Sequence, residues 1–205
     1  MDGGPASVVH EDRCWISHVN TSPTRPDRLT FCHEGPWELV AQRMWLLDIA
    51  SGEASALRPQ KPTEAVGHEY WFADGRRVGY HGRESGRSFF GYVDTDNARW
   101  REWDFACGSI HFHSMDESLI VGDGNHQHRC LLLWALRAEG YAGPKVLAVH
   151  RGSWHVQIVH VHPRMFERGG RTHVVYTADP KGYGNVFLAE VPSFDGLPDL
   201  EETDQ

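Results

Sequence analysis

Histidine returns along this chain at a nearly constant interval, and each return opens a new set of short strand-like runs. His18, His68, His113 and His160 are separated by 50, 45 and 47 residues. Ser17-His18-Val19-Asn20 is followed by Leu29-Thr30-Phe31-Cys32-His33 and Met44-Trp45-Leu46-Leu47; His68-Glu69-Tyr70-Trp71 by Arg77-Val78-Gly79-Tyr80 and Phe89-Phe90-Gly91-Tyr92-Val93. His113-Ser114 leads to Leu119-Ile120-Val121-Gly122 and Leu131-Leu132-Leu133-Trp134, and His160 to His173-Val174-Val175-Tyr176 and Asn185-Val186-Phe187-Leu188. A period in the middle forties with about four short strands per unit is what a β-propeller blade requires. The expected fold class is therefore all-β, a β-propeller of about four blades spanning residues 14–192, divided near 14–60, 61–105, 106–150 and 151–192. Residues 1–13 read as an N-terminal extension, and 193–205 as a frayed acidic tail.

In a propeller the first strand of each blade lines the central channel, so a histidine at its start points toward a shared axial site. Residues nearly fifty positions apart then meet. Four blades are the lower limit for a closed ring, and an incomplete ring leaves sheet edges and blade faces exposed, which predicts self-association.

Composition agrees and narrows the partners. Twenty-one glycines, eight tryptophans and nine phenylalanines suit short strands and tight turns rather than long helices. A net charge of -8 argues against a nucleic-acid or membrane surface as the main partner, since either calls for a basic face. The chain shows neither a secretory leader nor an apolar run of bilayer length, so a cytoplasmic protein is expected. Cys14, Cys32, Cys107 and Cys130 form no Cys-x-x-Cys pair and read as buried free thiols.

The densest chemistry lies in Trp154-His155-Val156-Gln157-Ile158-Val159-His160-Val161-His162-Pro163. On a strand, His160 and His162 share a face and can grip one ion. Gln157 has the opposite parity and joins them only if a bulge or turn resets the pleat. A histidine pair on a strand is also a common half-exposed polar face, so the rest of the chain must decide.

Four motifs together do so. Phe31-Cys32-His33-Glu34-Gly35-Pro36-Trp37, His68-Glu69-Tyr70-Trp71 with Asp74-Gly75, His113-Ser114 with Val121-Gly122-Asp123-Gly124, and Gln157-x-x-His160-x-His162-Pro163 resemble the oligogalacturonate lyases. The resemblance covers roughly Ser17 to Val191 and implies a seven-bladed propeller as the family fold, with this chain matching a C-terminal portion of about four blades. It implies that His113, Gln157, His160 and His162 hold a divalent cation, manganese in the family, and that the substrate is a short oligogalacturonide such as digalacturonate. It also implies β-elimination, with His68 removing the C5 proton and Arg43 meeting the substrate carboxylate or the developing charge.

The residue types suit those roles. Three imidazoles and an amide are neutral ligands, so a bound ion keeps its charge for an anionic substrate, although the same set suits zinc, nickel or iron. A neutral imidazole can act as a general base near neutral pH, and guanidinium forks onto carboxylates. Plainer readings stand beside these. His68 can be a structural cap between blades, Arg43 one half of a surface ion pair, and Asp123 a turn former. His111 shares a strand face with His113 and is the alternative ligand. At the level of the whole chain, the alternatives are a catalytically incomplete lyase fragment and a non-catalytic propeller that binds sugar or protein.

Overall fold

The computed structural model describes residues 3–105, 107–153 and 159–203. Among these described residues, fifteen strands form four antiparallel sheets taken one after another along the chain. The first blade comprises β1 (Trp15–Thr21), β2 (Arg28–Glu34), β3 (Met44–Asp48) and β4 (Ala54–Ala56). The second comprises β5 (Glu64–Trp71), β6 (Arg77–Glu84), β7 (Arg87–Asp94) and β8 (Arg99–Phe105). The third holds β9 (Phe112–His113), β10 (Leu119–Gly122), β11 (Cys130–Arg137) and β12 (Gly140–Val149), and the fourth β13 (Arg164–Arg168), β14 (Arg171–Ala178) and β15 (Asn185–Glu190). Each strand pairs with its sequence neighbour, so every blade is a meander and the repeat seen in the sequence is the structural unit.

Period-two alternation places the core between blades rather than within one. On β2, Leu29 and Phe31 face a small cluster with Leu47, while Cys32 turns the other way into a core with Met44, Leu46, Val66, Trp71, Val78, Tyr80, Phe89 and Val93. That core joins blades one and two. Phe72, Phe90, Phe105, Phe112, Ile120, Leu132 and Trp134 join blades two and three, and Val121, Leu131, Leu133, Met165, Val174 and Tyr176 join three and four. Burying such side chains is worth about 1.5–3 kcal/mol each, so the stacking of blades carries most of the stability.

Loops latch the blades in register. Ser22 Oγ donates to the Gly75 carbonyl at 2.8 Å, and Thr24 Oγ1 to the Asp74 carbonyl at 3.0 Å. Gly75 has φ +65°, and a Cβ there would lie 1.9 Å from Thr24 Oγ1, so only glycine fits this turn.

Two expectations need correction. Residues 193–203 do not form a free tail: Leu197 is buried, Val146 N–H donates to the Pro198 carbonyl at 2.9 Å, Lys145 pairs with Asp199, and Leu200–Thr203 make one helical turn. An apolar Leu197 inside an acidic segment anchors it against β12 despite the charge. The cysteines are all free, but only Cys32 and Cys130 are buried, and Cys14 is exposed. Among the described residues no helix is long and apolar enough to cross a membrane.

Candidate metal centre

Three histidines take left-handed backbone, two within the first strands β1 and β5 and one just before β13. His18 has φ 51° where the β1–β2 register shifts between Ser17 and Asn20, and His68 has φ 53° where the β5–β6 register shifts between Gly67 and Tyr70. His162 has φ 44° just before β13. Non-glycine residues rarely adopt this conformation, and a bulge in a strand re-aims one side chain out of the alternating pattern. Here it turns each ring toward the rings of the neighbouring blades. His68 lies 5.6 Å from His18 and 4.8 Å from His111, centroid to centroid.

His111, His160 and His162 form the metal-binding geometry: their nitrogen atoms can all lie within 4.8 Å of one another. The His111 and His162 ring centroids are 3.8 Å apart, and each is 5.3 Å from His160. His160 and His162 do not sit on a strand as expected, because residues 159–163 lie outside any strand. The segment is tied to β14 instead: Thr177 N–H donates to the Val161 carbonyl at 2.9 Å, and Thr177 Oγ1 to the His160 carbonyl. Val161 between them is buried in the core. Gln157, and the pleat reset expected beside it, lie outside the described residues.

His113 is the main correction. It is half-buried, its Nδ1 accepts the Met165 N–H at 3.0 Å, and its ring stacks on Tyr70 at 4.8 Å. That is a structural link between blades two, three and four. His111, two residues earlier on the same face, is the histidine grouped with His160 and His162 where an ion could be held. Its Nδ1 lies 2.6 Å from Asp123 Oδ2, while Asp123 Oδ1 accepts the Ile110 and His111 N–H groups at 3.0 and 2.8 Å. A carboxylate on one imidazole nitrogen fixes the tautomer and leaves Nε2 for a metal, the usual arrangement behind a metal-ligating histidine. Asp123 is thus more than a turn former. The β9–β10 register, with His113 opposite Val121 and Phe112 opposite Gly122, sets His111 beside Asp123 one step further along.

Burial sets the charge state of these groups. Desolvation pulls His68 down to about 3, aided by His111, His18, Arg43 and His162. It brings His111 to about 3 and His162 to about 4, and pushes the Asp123 carboxyl up to about 7. His68, His111 and His162 are therefore neutral at pH 7, the form that ligates metal or accepts a proton. The rings of His111, His160 and His162 with one orienting carboxyl group fit a divalent cation.

A cavity of about 190 Å³ opens at this cluster, lined by His18, His68, His111, His162, Asn20 and Arg164 among others. Arg43 reaches the neighbourhood of His68, since a Cβ on Gly67 would lie 2.8 Å from Arg43 Nε. Its guanidinium is buried: Nη2 donates to Glu34 Oε1 at 2.6 Å and the group lies 4.4 Å from the Trp37 ring centre, while Nε, the atom nearest Gly67, has no hydrogen-bond partner among the described residues. The cation on the cavity wall is Arg164, which is exposed and follows His162-Pro163. Sequence reasoning passed over it, although its position next to a ligand pair was a usable signal. His33 stands elsewhere, with Nε2 3.0 Å from Asp12 Oδ2 and Cys14 nearby.

Comparison with known proteins bears on the family and the fold. Residues 1–130 match the family model described as oligogalacturonate lyase. The chain is 26% identical over 215 aligned positions to the oligogalacturonate lyase of Dickeya dadantii, covering 92% of this chain and 53% of that protein. An oligogalacturonate lyase solved in complex with manganese superposes with a TM-score of 0.74 at 27% identity, covering 87% of this chain and 49% of the other. The oligogalacturonate lyase of Vibrio parahaemolyticus gives 0.73 at 27% identity, covering 91% and 52%. This chain spans about half the length of the curated relatives it matches. Family model, relatives and superposition converge: the chain belongs to the oligogalacturonate lyase family.

Proposed function

We propose that this chain carries the metal site and the base of a lyase that cleaves short oligogalacturonides by β-elimination. The observation that supports it most is His68, a neutral imidazole 4.8 Å from His111 of the three-histidine cluster. A divalent cation held by His111, His160 and His162, with manganese suggested by the relative solved with it, would supply Lewis-acid stabilisation of the charge developing beside the substrate carboxylate. His68 takes the C5 proton of the uronate ring; a C4–C5 double bond forms, and the C4–oxygen bond breaks to release the leaving sugar. Arg164 offers a fork for the substrate carboxylate at the cavity wall. Arg43, locked on Glu34, holds positive charge close to His68 and so favours its unprotonated form.

A second reading, a lyase portion that binds metal without turnover, is favoured by one observation: the chain spans about half of its relatives. The outer blade surfaces fit either case. Val186 and Leu188 on β15, and Trp15 and Val19 on β1, are exposed apolar residues on the last and first blades, which suits further propeller surface or a second copy packing there. The test is digalacturonate incubated with the chain and Mn²⁺, followed by absorbance of the unsaturated product. Product that disappears with chelator and with His68→Ala supports the lyase; Mn²⁺ binding without product supports the second reading. Neither binding nor product would refute both.

A further inference from the structure

β6 places a second histidine directly behind His68. The β5–β6 register sets His81 opposite Gly67, and the bulge that follows brings the next residue, His68, over it. His68 Nδ1 and His81 Nε2 are 2.9 Å apart, with the rings nearly parallel at 13° and 5.1 Å between centroids. Phe112 meets His81 edge-on at 4.8 Å, so the ring has little freedom to turn.

The direction of this hydrogen bond follows from the role read for His68. Its Nδ1 faces His81 Nε2, so Nε2 is the nitrogen left to take a proton from substrate. A neutral imidazole has one N–H, and an Nε2 that accepts leaves that proton on Nδ1. His81 Nε2 is then the acceptor between the two rings, and His81 carries its own proton on Nδ1.

We propose that His81 is a positioning residue that holds His68 in the Nδ1–H tautomer and thereby turns a bare Nε2 toward the substrate cavity. This rests on the reading of His68 as the base. Isolated neutral histidine favours the opposite tautomer, with the proton on Nε2, which has no lone pair to take the C5 proton. An accepting His81 Nε2 at 2.9 Å reverses that preference, as an orienting acceptor behind a base does elsewhere.

The test is a long-range ¹H–¹⁵N correlation spectrum of the histidine rings in the full chain at pH 7 with chelator present, His68 being identified by the signal lost in His68→Gln. The expected result is a proton on Nδ1 of His68 in the unsubstituted chain. It should stay there in His81→Gln, whose amide oxygen can accept at similar reach, and move to Nε2 in His81→Phe, which fills the space without an acceptor. A proton on Nε2 of His68 in the unsubstituted chain would overturn the proposal, and so would an unchanged Nδ1–H form in a folded His81→Phe. If His81→Phe does not fold, the unsubstituted chain still decides. Because the readout needs neither metal nor turnover, an inactive chain would count against the lyase reading alone.

Discussion

Replacing Asp123 with asparagine changes one atom behind the proposed metal centre. Asp123 is fully buried, with Oδ1 on two backbone N–H groups at 3.0 and 2.8 Å and Oδ2 on His111 Nδ1 at 2.6 Å. Asparagine has one oxygen for these three donors. If that oxygen stays on the backbone, its NH₂ faces His111 Nδ1, which can then only accept, and the ring proton moves to Nε2. That is the nitrogen a metal requires. Loss of such an orienting carboxylate typically weakens metal binding about 10- to 100-fold, or about 1.4–2.7 kcal/mol; the tautomer conflict puts Asp123→Asn at the upper end. Mn²⁺ titration by calorimetry at pH 7 measures it, with a thermal melt to establish that the variant is folded. An affinity within twofold of the unsubstituted chain would refute the assignment of His111 as a ligand oriented by Asp123.

Three other outcomes follow from the same contacts. Arg164→Gln should weaken binding of trigalacturonate roughly tenfold, the cost of one charge-assisted hydrogen bond, without lowering Mn²⁺ affinity; calorimetry with each ligand separates the two, and unchanged sugar affinity would remove Arg164 from the substrate site. Gly124→Ala should cost at least about 2 kcal/mol in urea unfolding, because φ is +72° and the new Cβ would lie 2.1 Å from the His128 carbonyl oxygen; a loss below about 0.5 kcal/mol, the range of neutral surface changes, would contradict the turn geometry. Arg76 beside Asp94 holds that carboxyl at about 2, below its ordinary 3.8. A folded-state pKa below the unfolded one gives stability that is complete above pH 3.8 and is lost as pH falls toward about 2. Asp94→Asn should therefore be less stable than the unsubstituted chain at pH 7, with the gap closing between about pH 4 and 2; a gap independent of pH would refute the ion pair.

The repeat was legible because blade stacking imposes it: Leu29 and Phe31 on β2 face one way and Cys32 the other, Val78 and Tyr80 on β6 share the face that meets Cys32, and every blade repeats the demand. The histidines at the blade openings were legible for the same reason. What spacing could not resolve was a shift of two residues, since His111 and His113 share a face and only their partners separate them. One meets Asp123, the other the Met165 N–H. The bulges at His18 and His68 escaped because a histidine in left-handed backbone has no composition signal of its own, unlike glycine. Arg43 stands near His68 as the reading placed it, and what spacing did not show is that Glu34, nine residues away, takes its Nη2 across the β2–β3 hairpin. His81 carried no motif at all; its position follows only from the β5–β6 register.

Metal stoichiometry in two single variants tests the centre most directly. Equilibrium dialysis against Mn²⁺ should give one bound ion in the unsubstituted chain and none in His111→Ala. His113→Ala should keep its ion while melting at lower temperature, having lost the contact to the Met165 N–H and the stack on Tyr70. An ion retained in His111→Ala and lost from a folded His113→Ala would contradict the centre built on His111, His160 and His162.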